Sequence, residues 1–221
     1  MSTSLAGKPV SSKPRDDTSR LRQSLHIRKM VGNKPNYEKE DVIRAFLLIG
    51  EKPISRSDLV KKIGVGEGSI RTILDILKYN ELLISKKKGH LLSEKGKRKK
   101  KTLEKEFSSI KKLSLNQYKG MKSVGLQVKN PGTAKIGFEQ RDEAIRKGAY
   151  SAIIFRHEKD IKVPGVEIDF RKDYSDDYKK IKDSFEFSGN EILIVTFAKD
   201  YRTCENSAIA VVNKIYKKRI F

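Results

Sequence analysis

The sequence predicts a mixed α+β protein in two parts, a helical N-terminal part and a C-terminal part that contains a sheet. Apolar residues recur at helical spacing in three segments between positions 37 and 80, and two short apolar runs around a basic turn follow them. From position 120 onward the apolar period changes to two, and the segments then follow the order β-α-β-β-α-β-α. Because 221 residues can form two cores of about 100 residues each, we expect two domains.

The composition sets the expected domain boundaries. Residues 1–35 are rich in Ser, Lys, Pro and Arg, which predicts a basic, disordered tail with at most a short helix over residues 19–31. Residues 36–95 form the first predicted domain, and residues 96–117 form a basic connector. Residues 118–221 form an α+β sandwich with helices on one face of its sheet. We expect this second domain to act as a small-molecule sensor or a dimerisation module.

Local signals define the elements of the first domain. Ser55 is a typical N-cap for the second helix, and a glycine-containing turn separates that helix from the third. The third helix places its apolar residues on one face and its polar residues on the other. Two short strands around the basic turn at residues 86–89 then predict a hairpin. The predicted helices cover residues 37–49, 56–63, 67–80 and 94–110.

The second domain alternates strands and helices, and its last helix is apolar on more than one face. The predicted strands cover residues 124–128, 149–156, 166–170 and 192–198, and the helices cover residues 138–147, 175–185 and 205–216. A helix that faces one core needs only a single apolar stripe about 100° wide. The surplus on the last helix predicts either burial on two sides within the domain or a surface for a homodimer partner.

The net charge of +21 favours a polyanionic partner, because Lys and Arg neutralise phosphates and release counterions. Residues 1–32 contain 7 basic and 2 acidic residues (+5), residues 33–117 contain 21 and 11 (+10), and residues 118–221 contain 21 and 15 (+6). The excess is therefore greatest in the helical part. A lysine-rich surface that serves only solubility is the alternative interpretation.

Three helices followed by a basic hairpin form the layout of a winged helix-turn-helix, a DNA-binding fold. In this fold the third helix enters the major groove, where an arginine can bind guanine with two hydrogen bonds, while the hairpin contacts phosphates. Glycine N–H groups at the start of that helix also suit a phosphate. The predicted DNA-binding residues are Ser55, Arg56, Gly66, Gly68, Ser69, Arg71, Thr72, Lys78, Lys86, Lys87, Lys88 and His90.

Two segments resemble known families. Residues 55–65, 66–77 and 92–96 resemble winged-helix regulators, through a Ser-Arg-x-Asp-Leu start, a Gly-x-x-x-x-Arg helix and a Leu-Ser-x-x-Gly ending. Residues 120–218 resemble an archaeal domain of unknown function, through Ile-Gly-Phe-Glu-Gln-Arg-Asp-Glu-Ala-Ile at 136–145. The resemblance implies an archaeal transcriptional regulator with a C-terminal sensor domain. We expect it to bind double-stranded DNA as a homodimer, because paired half-sites raise affinity, and to respond to a small-molecule effector.

A loop and a helix start in the second domain are candidates for ligand binding. The Asn-Pro-Gly-Thr sequence at 130–133 is typical of an ordinary surface turn and also of a small anion-binding loop. Polar residues at the next helix start suit either a polar ligand or a solvated face. The candidate ligand-binding residues are Asn130, Thr133, Lys135, Gln140 and Arg141.

No catalytic or metal-binding motif is found in the sequence. His26, His90 and His157 are not spaced from other possible ligands as in a metal-binding motif, and Cys204 is the only cysteine. We therefore expect no cofactor and no enzymatic activity. Without a long apolar run or a secretory signal, we expect a cytoplasmic protein without membrane contact. Two alternatives stay open: an RNA- or ribosome-associated protein, suggested by the basic run at 97–101, and an enzyme of nucleotide or cofactor metabolism.

Overall fold

Three helices and a hairpin make up the N-terminal part of the chain. The computed structural model describes residues 36–216, so the predicted tail, its 19–31 helix and His26 lie outside the described residues. The elements are α1 (Lys39–Glu51), α2 (Arg56–Ile63), α3 (Glu67–Tyr79), β1 (Leu83–Lys86), β2 (Gly89–Leu92) and α4 (Glu94–Glu106). Strands β1 and β2 pair antiparallel.

The helix starts follow from local hydrogen bonds. The Ser55 hydroxyl accepts the backbone N–H of Asp58 at 3.1 Å, which confirms its predicted role as the N-cap of α2. Gly64 ends α2 in the left-handed region, at φ 79°. The inward residues of α3 are buried as the apolar spacing predicts: Ile70, Ile73, Leu74 and Leu77.

The hairpin is fixed to the segment that precedes α2. Ile54 and His90 exchange two backbone hydrogen bonds, of 3.1 and 2.9 Å, so Ile54 adds a short third strand to the pair. Gly89 has φ 118°, and a Cβ there would lie 2.7 Å from the Ile54 carbonyl oxygen. Only glycine fits this position without strain. The basic turn between β1 and β2 is thereby held beside the start of α2.

A five-stranded antiparallel sheet organises the C-terminal part, in the order β3-β4-β7-β5-β6. The strands are β3 (Lys111–Leu113), β4 (Lys122–Val128), β5 (Ser151–His157), β6 (Ile161–Lys162) and β7 (Glu191–Ala198). The helices are α5 (Phe138–Arg146), α6 (Phe170–Asp173), α7 (Ser175–Ser184) and α8 (Tyr201–Ile215). The mixed α+β class is confirmed.

The predicted strand over residues 166–170 is wrong. The edge strand is instead β6, which pairs with the end of β5 across a short turn. Val166 and Ile168 alternate as in a strand but are 47% and 41% exposed, and Phe170 already begins α6. The preceding Pro164 lacks the N–H that would extend the ladder. Strand β3 is a further element that the sequence does not predict. The predicted basic helix runs to residue 110, whereas α4 ends at Glu106 and leaves room for a strand in the predicted connector.

Helices cover both faces of the sheet, so the prediction of helices on one face is also wrong. All eight residues of β7 are buried. Ile192 and Ile194 pack into the core shared with α5 and α8, whereas Leu193, Val195 and Phe197 pack on the opposite side in a cluster with residues of α6 and α7. A strand covered on both faces is expected to be a nearly continuous apolar run, and in β7 only Glu191 at its start and Thr196 interrupt that run.

The last helix is buried within the chain. Helix α8 packs against β4, β7, α5 and also α1. Its apolar residues are at most 7% exposed: Ala208, Ile209, Val211, Val212 and Ile215. The prediction that these residues form a partner surface is therefore wrong, and the alternative, burial on two sides, is confirmed. No helix among residues 36–216 has the length and apolar content that a membrane span requires.

A polar network joins α1 to α8. The Asp41 carboxylate is fully buried and accepts hydrogen bonds from Arg44 at 3.0 Å, Arg202 at 2.8 Å and Asn206 at 3.1 Å. Arg44 also donates to Glu205 at 2.6 Å. These five residues are here called the junction network. They lie beside a hydrophobic core that is continuous from the three helices to the sheet.

Candidate nucleic-acid interface

The outer face of α3 carries two cations without partners. Arg71 and Lys78 are exposed, and Ser69 and Thr72 are half-buried on the same helix. Within residues 36–216, neither the Arg71 nor the Lys78 side chain makes a hydrogen bond or an ion pair. Asp75 lies on the same helix. Its carboxylate is exposed and likewise forms no hydrogen bond or ion pair within residues 36–216. The face can therefore offer both cations to an anionic partner.

The start of α3 leaves backbone open to solvent. A Cβ added at Gly66 or at Gly68 would meet no atom within 4 Å, so a ligand can approach the backbone there. Glu67 lies between the two glycines and would repel a phosphate. Its carboxylate pairs with Arg56 of α2 at 3.1 Å, which offsets that charge. This pair also means that Arg56 already has a partner within the fold.

Ser55 is engaged in structure. Its hydroxyl donates to the Asp58 carboxylate at 2.7 Å, besides capping α2. Contact with a partner would compete with these bonds, so we assign Ser55 to positioning α2. Among the predicted DNA-binding residues, Ser55 therefore has a structural role.

The hairpin turn presents three consecutive cations. Lys86, Lys87 and Lys88, here called the hairpin lysines, are exposed and form no ion pair within the described part of the chain. His90 follows on β2, half-buried, with its Nδ1 2.9 Å from the Ser85 hydroxyl. The turn is thus a concentrated and uncompensated positive charge.

The electrostatics of His90 show that residues distant in sequence are close in space. Burial lowers the pKa of His90, and the positive charges of Lys78 and Arg56 lower it further. Helices α2 and α3 therefore each place a positive charge near His90 of strand β2. A neutral His90 can donate or accept a hydrogen bond there, but adds no charge at pH 7.

The basic helix α4 differs from the hairpin because glutamates neutralise part of its charge. Its run at 97–101 suggested the RNA-binding alternative, yet several of the lysines on this helix are paired. The pairs are Lys95–Glu81 at 2.9 Å, Lys97–Glu94 at 2.7 Å and Lys100–Glu104 at 2.7 Å. The hairpin lysines are consequently the stronger candidates for phosphate contact.

The loop at 130–140 borders a cavity of about 1050 Å³. Four of the five predicted ligand residues line it, Asn130, Thr133, Lys135 and Gln140, whereas Arg141 does not. Gln140 is a structural residue, because its side chain accepts the Gly137 N–H at 2.9 Å and donates to the Lys135 carbonyl at 3.1 Å. Asn130 donates to the Lys105 carbonyl at 2.8 Å.

These bonds leave Thr133 and Lys135 as the side chains of the predicted set that face the cavity without a partner among residues 36–216. A Gly-x-x-Gln capping pattern at the helix start is the signal that could have assigned Gln140 correctly.

The remaining singled-out residues have structural roles. Cys204 is buried, and burial raises the pKa of its thiol to about 12, which removes the nucleophilic thiolate at pH 7. His157 stacks on Phe187, and its Nδ1 lies 2.7 Å from the Gly189 carbonyl oxygen. Among residues 36–216, no group of three or more His, Cys, Asp or Glu side chains is placed to hold a metal ion.

The sequence analysis missed a cleft between the helical part and the sheet-containing part. It encloses about 960 Å³ and is lined by residues of α1, α2, α4, the 107–112 segment and the start of α8. Residues from both ends of the chain meet in it, for example Lys62 and Arg202. No local sequence pattern signals such a site, because its walls are far apart along the chain.

Comparison with known proteins gives matches for both parts of the chain. Residues 38–98 match the family described as PH0730-like, N-terminal domain, and residues 119–215 match a family described as a domain of unknown function, DUF4443. No curated protein matches the chain.

Among solved structures, the chain is similar to the hypothetical protein PH0730 from Pyrococcus horikoshii OT3. The two are 29% identical, the TM-score is 0.71, and the likeness covers 84% of this chain and 96% of that one. The predicted resemblance to an archaeal protein with a C-terminal domain of unknown function is confirmed.

Proposed function

We propose that this protein is a sequence-selective, double-stranded DNA-binding transcriptional regulator. In this proposal α1, α2, α3 and the hairpin form a winged helix-turn-helix, with α3 as the recognition helix and the hairpin as the wing. The observation that carries the proposal is the exposed, unpaired positive charge of the helical part. It consists of two cations on α3 and the hairpin lysines, all unpaired within residues 36–216.

The division of labour follows from the chemistry of DNA. The major groove, about 12 Å wide, admits a helix, and the Arg71 guanidinium suits the two acceptors on guanine. The open backbone at Gly66 and Gly68 suits a phosphate at the N-terminus of α3. The hairpin lysines would contact phosphates beside the groove, which positions the protein without reading sequence.

The sheet-containing part then supplies regulation and not catalysis. We propose that it responds to a small-molecule effector and needs no cofactor, because its cysteine and its described histidine are engaged in the core. A homodimer would double the contacts on a two-fold symmetric site and raise affinity through effective concentration. The last helix is excluded as the contact surface of that dimer.

A binding-site selection tests the proposal. The full-length protein is incubated with a random duplex library, bound DNA is amplified over several rounds, and the enriched sequence is compared with scrambled duplex and with duplex RNA by fluorescence anisotropy. We expect enrichment of one motif, bound about 10³-fold or more tightly than scrambled DNA at 150 mM salt. Equal affinity for all duplexes would contradict sequence selectivity, and a preference for RNA would replace DNA as the partner.

A further inference from the structure

The cleft between the two parts of the chain, here called the junction cleft, has the size of a small-molecule site. Its volume of about 960 Å³ falls within the range of about 300–1,000 Å³ that is usual for ligand pockets. Its lining comes from α1, the end of α2, α4, the 107–112 segment and the start of α8. All of these segments belong to the same compact unit.

The charges that line the junction cleft leave an excess of free cations. Most lining cations are already paired: Arg44 with Glu205, Arg202 with Asp41, Lys100 with Glu104, and Lys147 with Glu38. Lys61, Lys62 and Lys112 also line the cleft, and their ammonium groups form no ion pair within residues 36–216. Two lining carboxylates also form no ion pair in that range: Glu51, and Asp200, which accepts hydrogen bonds from Thr203. Three unpaired cations therefore face two unpaired carboxylates.

An aromatic ring places one of these cations. The Lys112 ammonium lies 4.1 Å from the centroid of the Tyr201 ring, and Tyr201 also lines the cleft. A cation–π contact holds the ammonium and leaves its hydrogen-bond donors available to an anion. The site therefore contains a positioned cation and not only mobile surface lysines.

The remaining lining is apolar and incompletely covered. Leu47, Leu48 and Ile110 are half-buried residues of the cleft, attached to the edge of the hydrophobic core. Asn206 lines the cleft as well, is 3% exposed, and its Oδ1 atom has no hydrogen-bond partner in the described structure. A buried acceptor without a donor costs free energy, and a ligand that donates a hydrogen bond would remove that cost.

We propose that the junction cleft binds a small amphipathic organic anion, with an apolar body against the leucine wall and a phosphate or carboxylate against Lys62 and Lys112. This site is distinct from the cavity beside the loop at 130–140, where Asn130 and Gln140 are engaged in hydrogen bonds within the fold. The role of this anion as the effector of a DNA-binding regulator rests on the proposed function. The existence of the binding site does not depend on that function.

Phenyl phosphate combines the two required features and serves as the probe. Its binding to the full-length protein is measured by isothermal titration calorimetry without DNA, beside inorganic phosphate and benzyl alcohol, each of which carries one feature alone. We expect phenyl phosphate to bind at least about tenfold more tightly than either comparator, because the apolar and charged contacts add. Affinity no better than that of inorganic phosphate would overturn the proposal.

Matched variants locate the binding. The double variant Lys62→Gln/Lys112→Gln should weaken the binding of phenyl phosphate about tenfold or more, because it removes the two cations proposed to face the anion. The control Lys159→Gln/Lys179→Gln removes two exposed charges outside both cavities and should leave affinity unchanged. Equal weakening by both variants would overturn the assignment to the cleft. Thermal unfolding of each variant confirms that it is folded.

Because no DNA is present, this experiment fails or succeeds independently of the binding-site selection. Loss of selective DNA binding would overturn the proposed function, whereas the calorimetry would still decide whether the junction cleft binds the anion.

Discussion

Replacing Asp41 with asparagine removes the charge at the centre of the junction network with almost no change in volume. The wild-type carboxylate is fully buried and holds Arg44, Arg202 and Asn206 together, as well as the backbone N–H of Glu38 at 2.9 Å. In Asp41→Asn, an amide NH₂ faces guanidinium groups that need an acceptor. We therefore expect a large loss of stability.

The magnitude follows from the burial of each partner. Breaking a buried ion pair costs about 3–5 kcal/mol. The Arg202 side chain is 32% exposed and can regain water, and Arg44 keeps Glu205, so the lower end applies. A loss of about 3 kcal/mol lowers the Tm of a chain of this size by about 6–12 °C. Asp75→Asn, on the exposed face of α3, is the matched control and should change stability by less than about 0.5 kcal/mol.

The pH dependence supplies an independent check. Burial acts to raise the pKa of Asp41, but the hydrogen bonds from Arg202, the Glu38 N–H and Asn206 together outweigh it, and the pKa lies below its usual value of 3.8. A depressed folded pKa contributes stability that is present above the unfolded pKa and is lost as pH falls through the folded pKa.

The difference in free energy of unfolding between wild type and Asp41→Asn should therefore be full at pH 7 and shrink below about pH 3.8. Urea titrations monitored by circular dichroism at pH 7, 5 and 3 measure it. A difference below 1 kcal/mol at pH 7, or one that does not change with pH, would refute the reasoning.

Four further predictions concern DNA binding, the hairpin and assembly. Arg71→Gln should cost about 1–3 kcal/mol on the selected DNA site and less on random DNA, with Arg141→Gln as the charge-matched control; equal losses on both DNAs would refute base reading. Replacing the three hairpin lysines with glutamine should flatten the slope of log K against log salt by about 2–3, and an unchanged slope would place the hairpin away from DNA. Gly89→Ala should destabilise the fold by about 1–3 kcal/mol in urea unfolding, whereas Gly189→Ala, with open space around its Cβ, should not; equal stability of the two would contradict the close approach at Ile54. Sedimentation equilibrium of the full-length protein should give a dimer mass, and a monomer at every concentration and on DNA would exclude the homodimer.

Local signals in the sequence predicted most of the elements. The cap at Ser55, the left-handed glycine at the end of α2 and the nearly continuous apolar run of β7 each depend on neighbours along the chain, so the sequence contains them directly. The prediction of a strand at 166–170 was wrong because a strand also needs a partner, which local signals do not show. Alternation at Val166 and Ile168 satisfied the local pattern, but no strand among residues 36–216 pairs with them.

The candidate sites show the same difference between local and long-range signals. The polar face of α3 and the hairpin lysines follow from periodicity and composition, and the structure places them where the sequence predicts exposed cations. The junction network joins Asp41 to Arg202, 161 residues away. Pairing over such a distance depends on the packing of α1 on α8, which no single-sequence pattern encodes. The junction cleft escaped prediction for the same reason.

Helix α2 connects the two proposed sites. At its start, Arg56 pairs with Glu67 at the beginning of α3, beside the open backbone proposed for phosphate contact. At its end, the Ile63 carbonyl accepts a hydrogen bond from Arg44 at 3.0 Å, and Arg44 in turn reaches Glu205 on α8. A ligand in the junction cleft would contact the lysines at this same end of α2.

Regulation through this connection requires two arrangements of the junction network, one of which the anion favours. The reason is that a ligand shifts an equilibrium only by its differential affinity for the two states. By linkage, DNA would then change the affinity for the anion by the same factor as the anion changes the affinity for DNA.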